Sequence, residues 1–139
     1  MTHDKRADAI ADGTIQIPVN EAMGFTYDSK TAEEIVFTYE VAPEHCNSAG
    51  GIQGGMLAAF ADSVLGGASA LHLTPEQYPA LAEMKISIFR PATAGTTLTG
   101  KGRVLKAGRR VLFAEAEILN DQNELIAKAS GTEIPADAP

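Results

Sequence analysis

The chain has 139 residues, 45% of them hydrophobic and 21% charged, a composition typical of one globular domain. Its 11 basic and 18 acidic residues give a formal net charge of −7, so its acidic surface argues against nucleic acid or an anionic membrane as a partner. Cys46 is the single cysteine, which excludes an intramolecular disulfide and a thiolate metal cluster. The charged first residues and the short apolar runs predict a cytoplasmic protein.

The first third of the chain predicts a short helix, a connection and one strand. Residues 4–11 are typical of a short amphipathic helix. Pro18, Gly24 and the polar stretch over residues 28–31 indicate an irregular connection or a weak first strand. Apolar residues then alternate over 35–41, the period of a strand with one buried face, and Pro43 ends it.

A glycine-rich loop over residues 46–55 leads into an apolar, alanine-rich stretch over 56–73, whose length predicts a helix buried on nearly every side. The strands after it are joined largely by tight turns and should be antiparallel. We therefore expect an α+β fold, with an N-terminal extension over 1–22 and a domain over 23–135 in which a curved antiparallel sheet wraps a long helix. The four later strands are expected over residues 81–89, 96–105, 110–119 and 125–134.

Asp62 is the one acid in the apolar helix, and no basic residue stands three or four positions away. Burial makes an unpaired charge expensive, which marks this carboxylate as a candidate catalytic group. It could instead cap a backbone amide or meet a donor of a partner subunit. At about 100° per residue it shares one side of the helix with small residues, which lets another group approach closely. These are Gly55, Ala58, Ala59, Gly66 and Ser69.

Gly54 and Gly55 stand at the predicted start of this helix, where free N–H groups and the helix dipole could stabilise an oxyanion. A tight turn or a close strand crossing would also explain the two glycines. Gly54 and Asp62 are eight residues apart in the sequence, or about 12 Å along a helix axis. One helix cannot bring both groups to one carbonyl, so joint action predicts a dimer with sites between its subunits.

The loop and helix together resemble the hot-dog thioesterases of the phenylacetate-degradation type. That family has an Asn, a Gly, a His-Gly-Gly, and an acid eight residues after the first glycine of the pair. The resemblance covers roughly residues 23–132. In this chain the pattern reads Asn47, Gly50 or Gly51, Gln53-Gly54-Gly55 and Asp62, followed later by Arg90-Pro91-Ala92 with Gly95.

The resemblance implies a hot-dog fold and hydrolysis of an aryl or medium-chain acyl-CoA to the free acid and CoA. It implies no metal or other cofactor, and a homodimer or a dimer of dimers. By position, Asp62 becomes the nucleophile or general base and Gly54 the oxyanion donor, while Asn47 orients the water or the carbonyl. Gln53 replaces the usual histidine; an amide can donate a hydrogen bond but cannot carry a titrating proton. Gly55 would contact the substrate.

A second departure from the family leaves other functions open. Leu81 stands near the place where some relatives have a water-holding hydroxyl, so either Ser63, Ser69 or Ser87 replaces it or no residue does. The main alternative is an acyl-CoA binding or regulatory protein without turnover. An enoyl-CoA hydratase would require a histidine paired with the acid. A purely structural oligomer leaves Asp62 unexplained.

Three arginines are candidate contacts for the phosphates of CoA: Arg90 at a strand end, and Arg109 and Arg110 at a turn. Ordinary surface charge is the competing explanation. A thiol nucleophile at Cys46 with His45 as its base is disfavoured, because neighbours on an extended segment point to opposite faces. The spacing of the histidines does not predict a metal site.

Overall fold

The computed structural model describes residues 3–139 and has one antiparallel sheet wrapped around one long helix. The six strands lie in the order β1-β2-β4-β5-β6-β3. The helices are α1 (Arg6–Ala11), α2 (Pro18–Met23) and α3 (Gly54–Ala70), with a 3-10 turn at Pro43–His45. The strands are β1 (Phe25–Lys30), β2 (Ile35–Glu40), β3 (Gln77–Ile88), β4 (Thr97–Ala107), β5 (Leu112–Leu119) and β6 (Leu125–Asp137). The predicted α+β hot-dog architecture is confirmed.

The core forms where α3 presses its apolar side into the concave face of the sheet. Phe60, Val64 and Leu65 are fully buried there. The helix approaches β4 so closely that a Cβ on Gly102 would lie 2.7 Å from the Val64 carbonyl oxygen, and one on Gly100 would lie 2.6 Å from the Val64 side chain. Glycine at these two positions lets the sheet curve tightly around the helix.

The stretch before residue 31 is more regular than the sequence predicted. Pro18 begins α2 at a position where its missing N–H costs nothing, and Gly24 ends the helix with a positive φ of 82°. Strand β1 follows at once and pairs with β2. The reading of this stretch as an irregular connection is therefore wrong, whereas the alternative of a first strand there is confirmed for Phe25–Lys30.

The prediction that the long helix is buried on nearly every side is also wrong. Gly55 and Asp62 are exposed, and Ala58, Ala59 and Gly66 are only partly covered. Only Ser69 of the stripe of small residues is buried, where its hydroxyl donates to the Leu65 carbonyl. Small residues on this side leave α3 with an open face in the single chain.

Residues 3–22 of the N-terminal extension pack on the domain beside that open face. Its helix α1 contacts α3 and β1. The Arg6 guanidinium donates to the carbonyls of Pro75 and Gln77, at 3.2 and 2.9 Å. The Ser63 hydroxyl of α3 donates to the buried side chain of Asn20, at 2.6 Å. Within residues 3–139, no helix has the length and hydropathy needed to cross a bilayer.

Candidate active site

The glycine-rich loop is held in shape by Asn47. The side-chain oxygen of Asn47 accepts hydrogen bonds from the N–H groups of Ala49 and Gly51, at 2.9 and 3.3 Å. The carbonyl of Asn47 accepts from the Gly50 N–H, and Gly50 has a positive φ of 86°. Asn47 therefore braces the loop that leads into α3, and its amide NH₂ remains available as a donor.

The first turn of α3 offers free backbone donors. Gln53 is the N-cap residue in an extended conformation, and its side chain makes no capping hydrogen bond. Among residues 3–139, no backbone acceptor is bonded to the N–H of Gly54 or Gly55. A Cβ at Gly55 would meet no atom within 4 Å. This end of the helix combines unpaired donors, a positive dipole and open space, as an oxyanion site requires.

Asp62 lies two turns further along the exposed face of α3. Its carboxylate makes no hydrogen bond or ion pair within the part of the chain that the structure describes. The apolar atoms around it reduce its hydration and raise its pKa, although the side chain is exposed at the surface of the single chain. An unpaired carboxylate of raised proton affinity can serve as a general base.

A cleft of about 220 Å³ adjoins Asp62. Its walls come from α1 and α2, from the middle of α3 and from the start of β3. Most of its lining is apolar, and Asp62 and Arg6 supply the charged groups. The cleft can thus hold an apolar group next to a carboxylate. It includes Ile10, Ile17, Val19, Tyr78 and Pro79.

One chain does not bring Asp62 and Gly54 together. A Cβ on Gly54 would lie 3.5 Å from Ile88, at the end of β3. The cleft beside Asp62 instead contains Tyr78, near the start of the same strand. This agrees with the axial separation of about 12 Å derived from the helix geometry.

The three candidate arginines are all exposed, but they lie at opposite ends of the sheet. Arg90 follows β3 near the start of α3, where it contacts the Glu124 carboxylate at 3.4 Å and the Leu125 carbonyl at 3.3 Å. Arg109 and Arg110 lie in the turn between β4 and β5, at the end of the sheet where β3 starts. Seven residues of strand separate these two ends of the sheet, which corresponds to about 23 Å. The three arginines therefore do not form one phosphate site within a chain.

The remaining sequence candidates have other contacts. His45 Nδ1 lies 2.5 Å from the Tyr39 hydroxyl, and the Cys46 thiol faces the Ala42 carbonyl at 3.6 Å, so no thiol–imidazole pair forms. A larger cleft of about 550 Å³ includes His45 but lacks both Asp62 and Gly54. Its carboxylates, Glu21, Glu40 and Glu44, would repel the phosphates of CoA.

Glu133 of β6 lies within the electrostatic reach of Asp62, and the sequence was not used to predict a role for it. Its side chain is 1% exposed, and neither carboxylate oxygen has a hydrogen-bond partner within residues 3–139. Burial, and to a smaller extent the negative charge of Asp62, raise its pKa to about 7. The available signal was the strand period, which places position 133 on the same face as the small residues Ala127, Ala129 and Gly131.

Comparisons with known proteins found a matching family and several relatives. The model of the thioesterase superfamily matches residues 49–127, from the glycine loop into β6. A Pseudomonas aeruginosa protein named "Putative esterase" is 31% identical over 115 residues, covering 82% of this chain and 85% of its own. Mouse acyl-coenzyme A thioesterase 13 is 28% identical over 109 residues, covering 77% of this chain and 76% of its own. A phenylacetic acid degradation-related protein from Ralstonia eutropha has a TM-score of 0.85 at 26% identity, covering 93% of this chain and 98% of its own.

Proposed function

Because the chain belongs to the thioesterase superfamily and is therefore a thioester hydrolase, we propose that it hydrolyses an aryl or medium-chain acyl-CoA to the free acid and CoA. One observation carries the proposal. Free N–H groups at the start of α3 and an unpaired carboxylate of raised pKa lie on the open face of the same helix. The mostly apolar cleft beside Asp62 suits the acyl group.

The proposed reaction needs only the backbone donor, the carboxylate and water. The Gly54 N–H donates to the thioester carbonyl oxygen, and Asp62 takes a proton from a water molecule as its oxygen adds to the carbonyl carbon. The tetrahedral intermediate then breaks its C–S bond, and the CoA thiolate leaves with the proton returned through Asp62. Direct attack by Asp62, followed by hydrolysis of the acyl-enzyme anhydride, gives the same products. Neither route requires a metal or another cofactor.

The residues around the donor have supporting roles in this proposal. Asn47 holds the loop with its side-chain oxygen, and its NH₂ is free to contact the carbonyl or the water. The Gln53 side chain lies exposed beside Gly54 and can donate to the substrate, as can the N–H of Gly55.

We place each active site between two chains of a homodimer. Support comes from the distance of about 12 Å between Gly54 and Asp62 and from the open face of α3. The edge strand β3 adds exposed apolar side chains at Leu81 and Ile88, which a partner subunit would cover. A dimer of dimers would retain the same sites.

For the phosphates of CoA we favour Arg109 and Arg110 over Arg90. The Arg90 guanidinium already contacts a carboxylate and a carbonyl, whereas no ion pair is formed by the other two within residues 3–139. Their turn also lies at the Tyr78 end of the sheet, near the cleft that adjoins Asp62. Two neighbouring guanidinium groups match the charge of phosphate oxygens.

An acyl-CoA binding protein without turnover is the alternative. Gln53 stands where relatives of the phenylacetate type commonly have a histidine. Leu81, an exposed apolar side chain, stands near the place where some of them have a hydroxyl. Such a protein would hold the ester in the same cleft and release no thiol.

The test follows free thiol during incubation with aryl, short-chain, medium-chain and long-chain acyl-CoAs. We expect Asp62→Asn, which keeps the shape and removes the charge, to lower kcat by about 10²- to 10⁴-fold. The matched control is Asp121→Asn in the exposed turn between β5 and β6, which should retain the rate. A fully active Asp62→Asn protein would contradict the proposed role, and calorimetric binding without thiol release would establish the alternative.

A further inference from the structure

The buried carboxyl of Glu133 lies in the row of β6 side chains that faces α3. Its neighbours across the sheet are Leu81 of β3 and Leu112 of β5, both apolar. Neither carboxylate oxygen has a partner among residues 3–139, and the side chain is 1% exposed. Burial of a carboxyl without hydrogen bonds is costly, so its presence calls for a physical reason.

The adjoining positions of the sheet show which part of α3 covers this glutamate. A Cβ on Gly131, two residues earlier in β6, would lie 3.0 Å from the Leu65 side chain. On the other side, a Cβ on Gly66 would lie 3.8 Å from Pro79, which pairs with β6 two residues later. The glutamate therefore lies under the turn of α3 that begins at Asp62.

Asp62 is the charged group whose field reaches Glu133. Arg6 belongs to the same cleft, but its guanidinium is engaged by the carbonyls of Pro75 and Gln77. The acids of β3 and β5 lie on the outer face of the sheet, where they contact Thr132 or Lys128. They are Glu83, Glu115 and Glu117.

We propose that Glu133 is a positioning residue for Asp62: it is the enclosed member of a carboxyl pair, unpartnered within residues 3–139, and its ionisation strengthens Asp62 as a base. While Glu133 keeps its proton, Asp62 carries the one negative charge of the pair. Once Glu133 loses that proton to water, the pair carries two like charges and the proton affinity of Asp62 rises. The inference rests on the proposed function, in which Asp62 is the general base.

The order of ionisation follows from the two environments. Desolvation alone raises the pKa of Asp62, which is exposed on one side. Desolvation first, and then the negative charge of Asp62, together raise the pKa of Glu133 to about 7. Asp62 therefore ionises first, and Glu133 ionises second against an existing negative charge.

A titration tests the pair without any substrate. Side-chain carboxyl ¹³C signals of Asp and Glu are followed against pH in the whole protein and in Asp62→Asn. We expect the Glu133 midpoint to lie near neutrality and to move to lower pH in the variant, because a like charge has been removed. An unchanged midpoint overturns the proposal. This result stands even if no thioester is hydrolysed, so failure of the proposed function remains distinguishable.

The second measurement is the pH profile of kcat/KM, compared with Glu133→Gln. As the pH rises through neutrality, kcat/KM of the unaltered protein should increase a few-fold relative to that of Glu133→Gln, because a stronger base removes the proton faster. A merely structural role would change the level of the profile but not its shape. Glu83→Gln, the same substitution on the outer face of the sheet, is the control. Its pH profile should keep the inflection of the unaltered protein. Identical profile shapes for the protein and Glu133→Gln would overturn the proposal.

Discussion

At the scale of single residues, the site shows how environment gives two carboxyls different properties. Asp62 lies on an open helix face and meets water on one side, whereas Glu133 is enclosed between strand and helix. Desolvation raises the pKa of both, and Glu133, with an added like charge, titrates at about 7. The exposed carboxylate is free to react and the enclosed one stays neutral over most of the acidic range.

The raised pKa of Glu133 also makes stability depend on pH. The carboxyl ionises at about 7 in the folded protein, against an ordinary value of 4.5 when unfolded. Between these values the folded state binds more protons, so the free energy of unfolding falls as the pH rises. Glu133→Gln should remove this dependence. For one fully buried group, the dependence lowers the free energy of unfolding by about 3 kcal/mol by pH 7.

Denaturant unfolding from pH 4.5 to pH 8, at fixed protein concentration, checks this expectation. The Gln variant should gain stability relative to the unaltered protein as the pH rises, whatever its stability at the lowest pH. Glu83→Gln should track the unaltered protein, since its side chain is exposed. Parallel curves for Glu133→Gln would show that this carboxyl is not neutral in the fold.

At the scale of elements, α3 and β4 depend on glycine for their close contact. A Cβ at Gly102 would lie 2.7 Å from the Val64 carbonyl oxygen and 2.9 Å from its side chain. A backbone atom cannot move aside as a flexible side chain can. Gly102→Ala should therefore destabilise the fold by about 1–3 kcal/mol through overpacking, measured by denaturant unfolding.

Gly55→Ala is the matched comparison, because a Cβ there meets nothing within 4 Å and the residue is helical. The free energy of unfolding of Gly55→Ala should rise by up to about 1 kcal/mol, because alanine has a better helix propensity than glycine. If Gly102→Ala were as stable as the unaltered protein, the close approach of α3 to β4 would not be as tight as the structure has it.

At the scale of the whole molecule, shared active sites can be tested by mixing two inactive variants. Gly54→Pro removes the oxyanion N–H at the first helical position, where proline fits, and the extended Gln53 before it suits a following proline. A dimer of Gly54→Pro with Asp62→Asn has one site with both groups intact. Equal mixing with subunit exchange should restore about a quarter of the full activity.

The control is a chain that carries both substitutions, mixed with either single variant. Such mixtures contain no site with both groups and should stay inactive. If the mixture of the two single variants also recovers no activity, although subunit exchange is demonstrated, each site belongs to one chain.

Local sequence patterns determined much of the fold. The alternation over 35–41 and the length of the helix after the glycine loop are set by the periods of strand and helix, which act between near neighbours. The same local geometry placed Gly54 and Asp62 on one helix and separated them by about 12 Å. Pro18 and Gly24 carried the start and end signals of α2, but a helix of 6 residues has too little periodicity to reveal itself.

Tertiary structure alone decided which groups are covered. The helix looked apolar all round, yet the sheet covers only one side and leaves Asp62 exposed. The strand period places Glu133 on the face of Ala127, Ala129 and Gly131, but charged residues usually lie at the surface, so this period alone did not mark it as buried. The separation of Arg90 from Arg109 and Arg110 likewise depends on strand order. Burial and proximity depend on residues distant in sequence, and these decide whether a carboxyl is an exposed base or an enclosed neutral partner.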